Sequence, residues 1–306
     1  MNHLHELIRS YPSAEWHGDY LSLNSSITMD IVKENPQIEW NYKLLGSNPT
    51  ITWEIIKSNP DIPWSYRFIS VNPNITWNII KSNPNLPWDY TYLPVNPNIT
   101  WDIMQSNIAP WDYSLFSLNP NITWNIVKDN PGIDWDYSYL SQNPKITMDI
   151  VVNNPAPWDY KQLAMNPSVT FDDIKKYRQL QDHMSKNPNI NLEIVLNNPE
   201  LKWSFKRLMS HPNFTLDDIR ELVPYYRMNY RALSLNPNLT WDYVHHGPDK
   251  FNFKIMSANN FHKANKKTYN EWLIVAREYA YDAMSEIRIF DILPAELKLH
   301  IVNVMS

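Results

Sequence analysis

Four groups of residues have types and spacings that could do chemistry. His245 and His246 are the only adjacent histidines and could contribute to a metal site. Asp89, Asp112, Asp136 and Asp159 recur at intervals of 23 and 24 residues and could act as general acids or bases. Asn74-Ile75-Thr76, Asn98-Ile99-Thr100, Asn121-Ile122-Thr123 and Asn213-Phe214-Thr215 are formal glycosylation sequons. Tryptophans at 53, 77, 101, 124 and 241, and at 16, 40, 64, 88, 111, 135, 158 and 203, could form a stacking surface for bases or sugars. Each group also has a plainer explanation. Adjacent helix residues point in different directions, so the histidine pair reads as solvated loop. The aspartates recur because the sequence around them recurs. Equivalent tryptophan positions are filled by Met29, Met148, Phe171, Leu192 and Leu216, as a core position allows. No Gly-rich phosphate loop, Ser-His-Asp set or paired-carboxylate signature occurs. The expectation is a non-enzyme with no cofactor and no metal.

Composition narrows the class further. The chain has 306 residues, 43% of them hydrophobic, with 14 Trp, 18 Tyr, 24 Pro and only 4 Gly. That is enough apolar side chain for a large packed core, and it excludes Gly-rich disordered or collagen-like chains. The formal net charge is −5 and no Lys/Arg-rich block occurs, so no nucleic-acid partner is expected. The absence of cysteine removes disulfides, thiol nucleophiles and thiolate metal sites, and fits a reducing compartment. Neither an apolar signal core at the N-terminus nor an 18-residue apolar run is present. A soluble, unsecreted protein with no membrane partner is therefore predicted.

The residues above are positioned by a repeat. Hexamers of the NPNITW type begin at Asn24, Asn48, Asn72, Asn96, Asn119, Asn143, Asn166, Asn187, His211 and Asn236, giving a unit of about 24 residues. A second element begins 11 residues after most of these, at Asn35, Asn59, Asn83, Asn107, Asn130, Asn154 and Asn198, so each unit has two halves. In the first half, as in Thr52-Trp53-Glu54-Ile55-Ile56-Lys57-Ser58-Asn59-Pro60, Thr is a good N-cap and an acid or amide follows where the helix dipole favours it. Asn-Pro then ends a helix of about seven residues, because the residue before proline is pushed out of the α region. In the second half, as in Pro87-Trp88-Asp89-Tyr90, the helix begins either with Pro at its first position or with the residue after Trp as cap.

Prolines this frequent would delete donors from a β-ladder, and two-turn helices are unstable alone. The fold predicted is all-α: an α-solenoid of helix pairs stabilised by nearest-neighbour interfaces. Residues 1–23 would form an N-terminal capping helix and half repeat, 24–246 the tandem repeats, and 247–306 a C-terminal helical cap. Within that cap, 269–284 reads as one longer helix with an apolar face of Trp272, Leu273, Val275, Ala276, Tyr279 and Ala280.

Positions three and four after the second-half Trp vary most between units. Candidate target-binding residues there are Lys43, Arg67, Phe68, Tyr92, Tyr139, Lys161, Lys206 and Arg207. Unconstrained surface would vary in the same way.

The chain ends in IRIFDILPAELKLHIVNVMS, where Leu293, Leu297, Ile301 and Val304 recur at helical spacing and Pro294 and Glu296 suit a helix start. Leu293-Pro294-Ala295-Glu296-Leu297 followed by Ile301 resembles the opening helix of an F-box. Truncated F-box-like ends of this kind follow the ankyrin repeats of poxvirus proteins. That resemblance implies a Skp-type adaptor of cullin–RING ubiquitin ligases as partner, contacted by Leu293, Pro294, Leu297 and Ile301, with Glu296 mainly at the helix start. The NPNITW array over roughly residues 11–246 resembles tandem-repeat proteins of giant DNA viruses such as mimiviruses. Together these imply a viral scaffold that holds a protein target in the host cytoplasm and recruits a ligase. The rival expectation is a structural or virion-associated protein whose C-terminal helix only caps the stack.

Overall fold

The computed structural model describes residues 3–106, 111–222, 227–240, 243–244 and 250–259. These lie in the first of two compact units, Met1–Phe261 and His262–Ser306. Among the described residues every regular element is an α- or 3-10 helix and none is a strand, so the fold is all-α. No helix among them is long and apolar enough to cross a membrane.

The first helix of a unit is six residues long in most copies, for example Trp53–Ser58, Trp77–Ser82 and Trp124–Asp129. Threonine starts it: Thr52, Thr76 and Thr123 each accept a hydrogen bond at Oγ1 from the N–H three residues on. At the other end Asn59 leaves the helix at φ −129° and ψ 62°. Its Nδ2 then donates to the carbonyl of Ile55 at 2.7 Å, satisfying an acceptor that the helix end leaves open. Asn83, Asn130, Asn154 and Asn198 do the same.

Second helices are shorter, as in Tyr42–Leu45 and Tyr137–Leu140, and the chain there narrows to a 3-10 turn at Leu93–Val95 and Leu115–Leu118. The residue after Trp is the cap. Asn41, Asp136 and Asp159 accept from Leu44, Tyr139 and Gln162 N–H at 3.0–3.1 Å. Ser65 and Ser204 occupy the cap position without a side-chain bond. Proline therefore lies ahead of the helix rather than at its first position. The indole N–H of Trp40, Trp64, Trp88 and Trp135 reaches back five residues to the carbonyl of Asn35, Asn59, Asn83 and Asn130, which clasps the Asn-Pro turn between the two helices.

Units stack through aromatic contacts between successive copies. Trp53 meets Trp88 at 5.7 Å, Trp77 meets Trp111 at 5.9 Å, and Trp124 meets Trp158 at 5.5 Å. The second-half tryptophans Trp40, Trp88, Trp111, Trp135, Trp158 and Trp203 are buried. First-half tryptophans differ from expectation: Trp53 is buried, but Trp77, Trp101 and Trp124 are only half-buried.

The hexamer asparagines form a ladder that runs through every unit. Asn72 is fully buried, and its Nδ2 lies within hydrogen-bond distance of the carbonyls of Gly46, Asn48 and Ile51 in the preceding unit, at 2.7, 3.0 and 3.0 Å. Its Oδ1 accepts from Asn74 N–H at 2.8 Å, locking its own turn. The same bonds recur at Asn48, Asn96, Asn119, Asn143, Asn166, Asn187 and Asn236.

The ladder closes on itself. Asn24 Nδ2 donates to Ser257 O at 2.9 Å and Asn259 O at 3.0 Å, as Asn48 donates to Ser22 O and Asn24 O. Two further contacts repeat across this seam. His17 N–H donates to Ser257 Oγ at 2.9 Å, as Asn41 N–H does to Ser22 Oγ. Trp16 meets Phe253 edge-on at 5.3 Å and 80°, matching Tyr66 on Trp88 at 5.4 Å and 81°. Helix His3–Ser10 thus takes the place of the first helix that would follow the last rung.

This corrects the expected organisation. Tandem repeats over 24–246 and a C-terminal helical cap from 247 were expected. Instead Phe251–Asn259 is a further rung, and the N-terminal helix completes the unit it begins. The 269–284 helix expectation lies outside the described residues.

Candidate interaction surface

The side chains that recur with the repeat are engaged by the frame. Asp136 and Asp159 cap helices; Asp89 accepts from Thr91 N–H at 3.1 Å and Asp112 from Ser114 N–H at 3.0 Å. The sequon asparagines form a second line of amide bonds: Asn74, Asn98 and Asn213 donate to Pro49, Pro73 and Pro188 carbonyls at 2.6–2.7 Å. The threonines of the same sequons, Thr76 and Thr100 among them, are caps. Reading the sequence saw Asn-Pro as punctuation but missed the ladder. The available signal was that Asn stands at the first hexamer position even where the adjoining Pro or Trp is lost.

What varies is the third and fourth residue after the second-half Trp. Lys43 and Lys206 are exposed, while Arg67, Phe68, Tyr92, Lys161 and Arg207 are half-buried. Tyr139 is 5% exposed and belongs to the core, so it offers no recognition surface. Leu44, Leu115 and Gln162 in the fourth position are buried too, whereas Phe68, Tyr92 and Arg207 there are half-buried.

Side chains on this face reach from unit to unit. The Arg67 guanidinium lies over the Tyr92 ring at 4.1 Å, and its Nη2 donates to the phenol oxygen. Ser138 Oγ donates to Asp159 at 2.9 Å, and Asn41 Nδ2 to Asp19 at 2.8 Å. Arg67, Phe68 and Tyr92 are therefore brought together, whereas Lys161, Lys206 and Arg207 lie farther along the succession of units.

Electrostatics follow burial. Desolvation, reinforced by Asp19, pushes the Tyr20 phenol up to about 12, and Arg231 opposes the rise from across the seam. Burial and then Lys161 and Lys186 lower His183 below the usual histidine range. His211 replaces asparagine in the ladder: Nε2 meets Asn187 O at 3.0 Å and Nδ1 accepts from Asn213 N–H at 3.1 Å. Only the neutral ring can make both bonds, and burial lowers its pKa to about 4.

Among the described residues no group of three or more His, Asp or Glu is arranged to hold a metal. The F-box-like residues Leu293, Pro294, Glu296, Leu297 and Ile301 lie outside the described residues, as do His245, His246 and Trp241. No family model, curated protein or solved structure matches the chain.

Proposed function

We propose that the chain is a non-enzymatic repeat scaffold that binds a protein partner through the exposed and half-buried side chains at the third and fourth residues after its second-half tryptophans. The observation that carries this reading is the division of labour within a unit. Recurring Asn, Thr and Asp side chains are engaged in hydrogen bonds of the frame, while a few large or charged side chains that differ between units stand at its surface. A frame of this kind holds side chains in fixed relative positions, which lowers the entropy cost of recognition.

The proposal extends to the C-terminus: residues 290–306 recruit a Skp-type adaptor of cullin–RING ubiquitin ligases, in the host cytoplasm if the chain is viral. Its support is the resemblance of Leu293-Pro294-Ala295-Glu296-Leu297 to an F-box helix.

Affinity purification from infected or host-like cells tests both parts. Recovery of the adaptor and a cullin by the intact chain, lost on deleting 290–306 with the array still folded, supports the ligase role. Recovery of capsid proteins instead overturns it. Lys206→Ala with Phe68→Ala should reduce recovery of the target without shifting the melting temperature.

A further inference from the structure

The fold gathers positive charge that is dispersed in the sequence. At the third residue after the second-half Trp position stand Lys206, Arg231, Lys254, Lys43 and Arg67, in a chain whose formal net charge is −5. The first four are exposed, and Arg67 is half-buried over Tyr92. They sit in units that follow one another only because the ladder closes. Their rungs are His211, Asn236 and Asn259, then, across the seam, Asn48 and Asn72, with Asn24 between. The Asn24 unit carries Asp19 at this position, and Asp19 accepts a hydrogen bond from Asn41. That Arg231 opposes the raised pKa of Tyr20 places the two sides of the seam within electrostatic reach. Acidic residues start several of the first helices. Asp30, Glu54, Asp102 and Asp149 are exposed at first-helix starts, where they suit the dipole. First helices also carry Lys33, Lys57, Lys81 and Lys128 and are mixed in sign, whereas the second-helix position is basic in five of these six units, broken by Asp19, and such a bias steers and holds a partner of the other sign.

We infer that this seam-spanning basic arc binds an acidic segment of a protein partner. The inference rests on the scaffold reading and names the chemistry of its partner. A protein segment fits better than nucleic acid for two reasons. The arc offers about one cation per unit, whereas nucleic-acid grooves interleave dense cations with exposed aromatic rings on which bases stack. In the fourth position beside these cations, Leu44 and Ala232 are buried and Phe68 is the one aromatic ring, half-buried, so no run of stacking platforms is present.

Fluorescence anisotropy with a short labelled poly-glutamate peptide at low salt tests the arc. The intact chain should bind, and Lys206→Gln, Arg231→Gln and Lys254→Gln together should weaken binding about tenfold. The matched triple Lys33→Gln, Lys57→Gln and Lys128→Gln removes equal charge from first helices and should leave binding within about twofold. A melting curve for each variant confirms that the frame is intact. Equal weakening by the two triples, or no binding by the intact chain, overturns the arc. Tighter binding of labelled single-stranded DNA of the same length overturns the choice of a protein partner. If a target still co-purifies through Phe68 and Lys206 while the peptide does not bind, the acidic-partner inference falls and the scaffold reading stands.

Discussion

Replacing Asn96 with alanine removes one rung of the ladder, and the structure sets the size of the effect. Asn96 is fully buried, and its Nδ2 approaches Ser70, Asn72 and Ile75 carbonyls at 2.8, 3.0 and 3.1 Å. The losses are unequal. Ile75 O still accepts from Asn98 Nδ2, and Asn72 O still accepts from Ile75 N–H. Ser70 O, and Asn98 N–H on the acceptor side, lose the bonds that Asn96 makes. One stranded buried carbonyl and one part-buried N–H at about 1–3 kcal/mol each, plus a small cavity, give a destabilisation of about 3 kcal/mol. Asn98→Ala is the internal control. Its amide is half-buried and bonds Pro73 O and Ile75 O, so its loss should cost about 1 kcal/mol. Asn96→Asp leaves no cavity but turns an acceptor toward three carbonyls, and should be at least as damaging as alanine. Urea denaturation of the three variants measures all of this. If Asn96→Ala costs no more than Asn98→Ala, or if Asp is tolerated, the ladder does not hold the units together.

Three further outcomes follow from the same frame. Thr76→Ala should cost about 1 kcal/mol and Thr76→Ser much less, because Thr76 Oγ1 caps Ile79 N–H; equal losses in thermal melts would misplace the helix start. Trp88→Ala should cost about 3–5 kcal/mol, since the buried ring meets Trp53 and Tyr66 and its indole holds Asn83 O; unchanged stability with lost partner binding would make it a recognition residue. His211 is neutral in the fold with a pKa of about 4, so below its ordinary value near 6.5 the unfolded chain binds a proton that the fold does not. Its contribution, roughly 3 kcal/mol in full, is present above pH 6.5 and is lost as pH falls toward 4. His211→Asn should keep the rung and flatten that part of the stability–pH curve.

The local code was legible in the sequence. Threonine before Trp53 or Trp77 reads directly as a cap, and Asn59-Pro60 as a stop, because caps and proline act within one turn of chain. Closure was not legible. It depends on contacts between Asn24 and Asn259, and on a last unit in which Phe251 stands for Trp and Phe253 for Tyr. At the other end helix His3–Ser10 carries no Thr-Trp signature at all. Whether successive units turn enough to meet is set by small rotations summed over the array, which no single unit reveals. The candidate surface was half legible: variation found Lys43 and Lys206, but it could not separate exposed variety from the buried variety at Tyr139 and Gln162.

The seam-spanning basic arc depends on closure of the array. Because the chain lacks cysteine, paired cysteine substitutions can carry spin labels at chosen sites alone. Lys43 and Lys57 flank the Asn48 rung, and Lys254 and Arg9 occupy the equivalent positions about the Asn259 rung, all four exposed. Double electron–electron resonance on Lys43→Cys/Lys57→Cys and on Lys254→Cys/Arg9→Cys compares an ordinary junction with the seam. The closed array predicts the same narrow distance distribution for both pairs. A seam distribution that is longer or far broader than that of the ordinary junction would show the array to be open.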